Sequence, residues 1–133
     1  MDEGDTGDRA SFEDDPSHPI PYIGLIDSKL SLQSGKLWYG LAAAGALHND
    51  ARTRERLEKK IETYLADFHS PESIAQYGNP TVETCRLYVG LPADSAPEMF
   101  DFLDQLRPWI EKHGVSLVVR TIRDLPIDEQ TLQ

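Results

Sequence analysis

The feature that most restricts the fold of this chain is an alternation of apolar and polar side chains between Thr81 and Leu91. Successive side chains of a β-strand point to opposite faces, so a period of two predicts a strand with one buried and one partly solvated face. The apolar side would hold Cys85, Leu87, Val89 and Leu91, and the opposite side Thr84, Arg86, Tyr88 and Gly90.

A helical pattern precedes this strand, between about Asp50 and His69. Its apolar side chains recur at spacings that place them on one stripe of a helix: Leu57, Ile61, Tyr64, Leu65 and Phe68. Asn49 or Asp50 can cap the start, and His69 lies near the negative end of the helix dipole. The sequence Ser70-Pro71-Glu72 predicts a short further helical turn.

Two strands are predicted before this helix, from Tyr22 to Leu32 and from Lys36 to about Leu41. Gly35 can adopt positive φ in the turn between them, so the pair is expected to form a hairpin.

A second helix is predicted after Leu91. Ser95 and Glu98 have the spacing of a capping box, and Gly114 is a stop signal. The last strand, Val115 to Ile122, is apolar on both faces, which favours a covered position in the sheet over an edge.

The predicted order is β-β-α-β-α-β, and right-handed crossovers place both helices on the same face of the sheet. We therefore predict the α+β class, as a two-layer sandwich of two helices on one face of a four-stranded mixed sheet. Residues 20–123 would form a single α+β domain, between an N-terminal arm (1–19) and a polar C-terminal tail (124–133).

The arm concentrates the acidity of the chain. It holds seven acids and one base, a charge of −6 out of a total of −10, and Phe12 is its one large apolar residue before Ile20. Such a composition predicts disorder, as a solubilising tail or as an acidic docking segment. No apolar run approaches the ~20 residues that a membrane span requires. With an acidic N-terminus and a single cysteine, we expect a cytoplasmic protein and no membrane partner.

Three segments resemble a family of small bacterial domains of the same β-β-α-β-α-β layout: Ile23 to Asp27, Lys60 to Leu65, and Phe102 through Ile110 to Gly114. The resemblance covers roughly residues 20–122 and implies a fold, but no activity or catalytic residues. The acidic arm, Pro108 and the alanine-rich stretch after the second strand depart from the family pattern. In size and charge the chain also resembles the immunity proteins that neutralise bacterial toxins.

The sequence predicts neither a catalytic nor a metal site, and no cofactor. His18, His48, His69 and His113 lack the spacing of zinc ligands. Cys85 falls on the apolar side of its strand, where a free cysteine acts as a small core residue. We therefore expect the protein not to be an enzyme.

Two sets of side chains are candidate binding residues. The partner-binding set combines strand aromatics with acids on the second helix: Trp38, Tyr39, Tyr88, Glu98, Asp101 and Asp104. The basic set lies on the first helix: Arg52, Arg56, Lys59 and Lys60. It has three interpretations, namely a solvated helix face, a site for the acidic arm of the chain, or a phosphate-binding patch.

These observations favour a non-enzymatic protein-binding domain, such as a bacterial immunity protein or antitoxin, with a partner that could be basic. The alternative is a self-associating structural module or a small-ligand-binding module, and a homodimer is compatible with either. The acidic pI of about 4.7 makes nucleic acid an unfavourable ligand.

Overall fold

The computed structural model of the protein describes residues 17–32 and 34–122. The predicted acidic arm lies outside the described residues as far as position 16, and the predicted tail lies outside them entirely. Ser17 to Pro19, which the arm was predicted to include, are described. The Pro19 carbonyl accepts a 2.8 Å hydrogen bond from the amide of Ala44.

Four strands form one mixed sheet in the order β1-β2-β3-β4. They are β1 (Ser28–Ser31), β2 (Leu37–Ala42), β3 (Cys85–Pro92) and β4 (Ser116–Ile122). The hairpin pair β1–β2 is antiparallel, whereas β2–β3 and β3–β4 are parallel. The predicted α+β class and the strand and helix order are confirmed.

Three helices connect the parallel strands: α1 (Ala51–Phe68), α2 (Pro71–Tyr77) and α3 (Pro97–Lys112). Asp50 caps α1, because its carboxylate accepts a 2.8 Å hydrogen bond from the Thr53 amide. The predicted helical turn after Ser70 is a helix in its own right, capped by the Ser70 hydroxyl. Within the described ranges, no helix has the length and apolarity needed to cross a bilayer.

The core lies between the helices and one face of the sheet. Alternate side chains of β2 and β3 are buried there, and the predicted stripe of α1 packs against them. Tyr39 stacks on Phe68 with ring centroids 4.0 Å apart. Cys85 is buried in this core, as predicted.

The first predicted strand is corrected by the structure. Only Ser28–Ser31 is a strand, and the preceding segment crosses α1 as a loop that we call the anchored segment (Ile20–Asp27). Two buried cations of α1 bind its backbone: Arg56 Nε donates to the Ile20 carbonyl at 2.9 Å, and Lys60 Nζ to the Pro21 and Tyr22 carbonyls at 3.1 Å each.

The predicted capping box is also wrong. Helix α3 begins after Ala96 without a side-chain cap, and the Ser95 hydroxyl accepts a 3.0 Å hydrogen bond from the Leu47 amide instead. Ser95 therefore joins two loops rather than starting a helix.

The predicted covered position of the last strand is wrong as well, because β4 is a terminal strand of the sheet that the described residues form. Its second apolar face, with Val118 and Ile122, lies on the side of the sheet opposite the helices and is partly buried there. The apolar residues on both faces of β4 therefore indicate a second, partly buried surface on the side of the sheet away from the helices, and not a position between two other strands.

Candidate binding face on the open side of the sheet

The sheet surface opposite the helices, which we call the open face, is the candidate functional site. Side chains alternate along each strand, so the strand register fixes which residues lie side by side on this face. Two full rows cross the four strands, Leu30-Trp38-Arg86-Ser116 and Ser28-Gly40-Tyr88-Val118, and a third row, Ala42-Gly90-Arg120, crosses three. Leu30 at the edge is 52% exposed.

Two aromatic rings and two guanidinium groups form a continuous stacked array on this face. The Arg86 guanidinium lies 4.9 Å from the centre of the Trp38 ring, and the Arg120 guanidinium 5.1 Å from that of Tyr88. Arg86 also donates a 3.1 Å hydrogen bond to the Tyr88 hydroxyl, and the two rings lie 5.7 Å apart. Such cation–π contacts contribute about 0.5–1 kcal/mol each at exposed sites, and here they restrict the rotamers of both arginines.

A depression of about 310 Å³ lies beside the array. Its floor is low because Gly40, Ala42 and Gly90 have little or no side chain, whereas Tyr88 and Arg120 stand at its border. Asp27, the last residue of the anchored segment, and Ser28, the first residue of β1, also border it. A cavity of this size can accept one large apolar side chain of a ligand, with the Arg120 guanidinium beside it.

The tyrosine network beneath the depression fixes its floor. The Tyr64 hydroxyl donates a 2.7 Å hydrogen bond to the Gly40 carbonyl and accepts a 2.8 Å hydrogen bond from the Asp27 amide. Burial raises the pKa of Tyr64 well above its usual range, so the hydroxyl keeps its proton and donates. The border and floor of the depression are therefore held by one side chain of α1.

The charge of the open face is opposite in sign to that of the chain. Its described strand residues include two cations, Arg86 and Arg120, and no carboxylate, while the whole chain carries −10. Asp27, which borders the depression from outside the strands, is paired with Lys60. The two guanidinium groups favour an anionic ligand, because they are suited to bidentate binding of carboxylates.

The structure brings two of the predicted partner-binding residues together and separates the others from them. Trp38 and Tyr88 meet on the open face. Tyr39 lies on the helix-covered face, is 1% exposed, and donates its hydroxyl hydrogen to the Asp67 carboxylate, so it cannot act as a surface anchor.

The predicted acids belong to the opposite layer of the molecule. Three acids are exposed on α3: Glu98, Asp101 and Asp104. Asp104 forms an ion pair with Arg107 at 2.9 Å. One flat interface cannot contain both these acids and the open face, because the sheet lies between them.

The predicted basic set does not form one exposed surface. Arg56 and Lys60 are 0% and 1% exposed and bind the anchored segment, while Arg52 and Lys59 lie at the surface. A patch that uses all four cations for a phosphate or for the arm therefore has no counterpart in the structure.

The titratable groups outside the open face have structural roles. Burial raises the pKa of the Cys85 thiol, which disfavours a nucleophilic thiolate. His69 donates through Nε2 to the His113 carbonyl at 2.7 Å, and His113 through Nδ1 to the Trp109 carbonyl at 2.9 Å. The first bond joins the ends of α1 and α3, and the second lies within the end of α3. The described part of the chain holds no cluster of metal-ligating side chains.

Arg86 and Arg120 are the site residues that sequence reasoning missed. The signal for Arg86 was available, because it shares the strand phase of Tyr88 and lies two positions before it. Arg120 had no such signal, since β4 was expected to be covered on both faces.

Comparisons of the chain with protein-family models, with curated proteins and with solved structures return no match. The resemblance to small bacterial domains and to immunity proteins stays a prediction.

Proposed function

We propose that the protein is a non-enzymatic protein-binding domain that engages its partner through the open face. The observation that carries this proposal is the stacked array of Trp38, Arg86, Tyr88 and Arg120 on a sheet surface that the described helices leave open. Tryptophan, tyrosine and arginine are the residues most enriched among binding hot spots. Because stacking already restricts the two arginines, less side-chain entropy is lost on binding.

The chemistry of the array favours an acidic segment of the partner over nucleic acid. Two cations provide few phosphate contacts, and a chain charge of −10 repels a polyanion at long range. A peptide segment with one or two carboxylates and an apolar side chain matches both the arginines and the depression.

We propose inhibition as the biological role, as performed by bacterial immunity proteins and antitoxins. Such proteins act by covering a surface of the partner, and this needs aromatic anchors and charge rather than reactive groups. A basic partner would instead meet the exposed acids of α3, so the two layers predict distinguishable interfaces.

The test is quantitative capture from the source cell with matched variants of the full chain. Trp38→Ala and Arg120→Glu alter the open face, and Glu98→Gln with Asp101→Asn alters α3, with folding checked by circular dichroism. We expect one stoichiometric partner to bind the parent chain and the α3 variant, but not the open-face variants.

Three results would overturn the proposal. If only the α3 variant fails to bind the partner, the interface lies on the helix layer and not on the open face. If light scattering shows a dimer that Trp38→Ala abolishes, a second copy of the chain binds the open face instead of a different protein. Capture of the same partner by every variant would exclude both surfaces.

A further inference from the structure

The acidic arm and the open face are complementary in charge and composition. Residues 1–16 lie outside the described residues, and their sequence carries seven acids, one base and one aromatic side chain, Phe12. Three of the acids follow Phe12 directly: Glu13, Asp14 and Asp15. The open face offers a depression for one large apolar side chain beside Arg120, with Arg86 on the far side of Tyr88 from Gly90 along β3.

The described chain starts near the depression. The Pro19 carbonyl accepts a hydrogen bond from the amide of Ala44, two residues after Ala42 in the floor of the depression. Two residues of chain span at most about 7 Å, whereas the seven residues from Phe12 to Pro19 can span about 23 Å. Phe12 can therefore reach the depression without any change in the described fold.

A groove of about 620 Å³ is lined by Ala44, whose amide binds the Pro19 carbonyl, and by one acidic residue, Asp94. It lies at the carboxyl ends of β2, β3 and β4, and its lining includes Ala44, Pro92 and Ile122. The small side chains of Ala43, Ala44 and Ala93 keep it wide. Its lining residues Ala43 and Thr121 directly follow Ala42 and Arg120 of the depression, so the groove and the depression lie next to each other along β2 and β4.

We propose that the segment Ser11–Asp15 binds the open face of its own domain. The Phe12 ring occupies the depression against Tyr88, and the carboxylates of the three following acids lie beside Arg120 and Arg86. A tethered segment acts at an effective concentration in the millimolar range, so modest contacts are sufficient to hold it. The arm then shields the open face, and any external ligand of that face has to displace it.

In this arrangement the acidic arm and the open face belong to one intramolecular contact. Docking of the arm on the basic residues of α1 was one of three interpretations of those residues, but Arg56 and Lys60 are buried there. The stacked array provides a pair of accessible cations with an apolar depression beside them, which a helix surface of charged residues does not provide.

The test is paramagnetic relaxation in the full-length chain, with a nitroxide attached at Ser11→Cys. Cys85 is buried, so the parent chain treated with the same reagent is the control for stray labelling. We expect loss of amide signal intensity for Gly40, Gly90 and Val118 on the open face, and unchanged signals for exposed positions on α1 and α3.

Charge variants then test the contacts. Glu13→Lys, Asp14→Lys and Asp15→Lys together should restore the lost signals, and so should Arg86→Glu with Arg120→Glu. Combining the two sets should bring the attenuation back. The control Asp2→Lys, Glu3→Lys and Asp5→Lys makes the same change in net charge at the far end of the arm and should leave the attenuation in place.

Three outcomes would overturn the proposal. The first is signal attenuation centred on Arg52 and Lys59. The second is attenuation of the open face that the control triple variant of the arm abolishes as fully as the triple variant next to Phe12. The third is attenuation of the open face by a label at Thr131→Cys but not by a label at Ser11→Cys. None of these readouts requires an external partner, so failure here is distinguishable from failure of the proposed function.

Discussion

Replacing Lys60 by methionine should destabilise the domain by about 3–5 kcal/mol, the range measured when one partner of a buried ion pair is removed. The Lys60 side chain is 1% exposed, and its ammonium donates to the Pro21 and Tyr22 carbonyls at 3.1 Å each and to Asp27 Oδ1 at 2.9 Å. Hydrogen bonds to charged groups contribute about 1.5–3 kcal/mol each, so three of them, at about 4.5–9 kcal/mol, fall near or above the upper end of the expected loss. Part of the loss is recovered because the Asp27 side chain is 38% exposed and can be hydrated again.

The loss should be local as well as global, because Tyr22 has a φ of +47°, which a tyrosine adopts at a cost of about 1–2 kcal/mol. Without the bond from Lys60 to its carbonyl, the anchored segment should exchange its amide hydrogens faster than the sheet does. Urea denaturation gives the free energy of unfolding, and Lys59→Met is the matched control, since Lys59 is exposed and its replacement should change that energy by at most about 0.5 kcal/mol. Equal destabilisation by the two variants would refute the assignment of Lys60 as the anchor.

Three further predictions concern stability. Gly114→Ala should lower the free energy of unfolding in urea by at least about 2 kcal/mol more than Gly35→Ala. Both glycines have positive φ, but a Cβ at 114 would lie 2.3 Å from the Pro80 carbonyl oxygen, whereas one at 35 meets nothing within 4 Å. The hydrogen bond from the α1 backbone holds the pKa of Asp50 below its ordinary value, so the ionised cap stabilises the fold above about pH 4 and this stabilisation is lost as the pH falls. In acid titrations Asp50→Asn should make that loss of stability shallower. Asp50→Ala should cost about 1 kcal/mol at neutral pH. Burial, together with the carboxylate that accepts its hydrogen bond, raises the pKa of Tyr39, so stability should fall as the pH rises above about 10, and Tyr39→Phe should make that fall shallower in thermal melts.

The segments that sequence reasoning placed correctly are those whose structure is set by local periodicity. From Cys85 onward, strand β3 follows from alternation alone, whereas residues 81–84, which the same alternation placed in the strand, precede it outside the sheet. Helix α1 follows from its apolar stripe and the Asp50 cap. The anchored segment failed because its apolar residues resemble a strand, while its conformation is set by bonds to Arg56 and Lys60, more than thirty residues away. Ser95 failed for the same reason, since its partner Leu47 is 48 residues distant.

The candidate site followed the same division. Trp38 and Tyr88 were predicted as anchors from their strand positions, but Tyr39 was included with them because the phase of β2 relative to the helices is a tertiary property. Arg86 pairs with Trp38 only through the parallel register of β2 and β3, which no local pattern encodes. The array is therefore visible in the sequence as separate residues and in the fold as one surface.

The stacked arginines also favour the solubility of the aromatic sheet face whenever neither the arm nor a ligand covers it. A bare surface of Trp38, Tyr88 and Leu30 would favour association, whereas guanidinium groups over the rings keep it hydrated. Arg86→Ser with Arg120→Ser should therefore increase self-association of the full chain in light scattering at high concentration.

Net charge alone gives the opposite expectation, because the double variant carries −12 instead of −10 and its copies should repel each other more strongly. The control Arg52→Ser with Lys59→Ser reaches the same net charge at exposed positions of α1. If both double variants remain as dispersed as the parent chain, the array has no part in keeping the open face soluble. Association confined to the open-face variant would show instead that the arginines hold that surface available for a charged ligand while protecting it from its own copies.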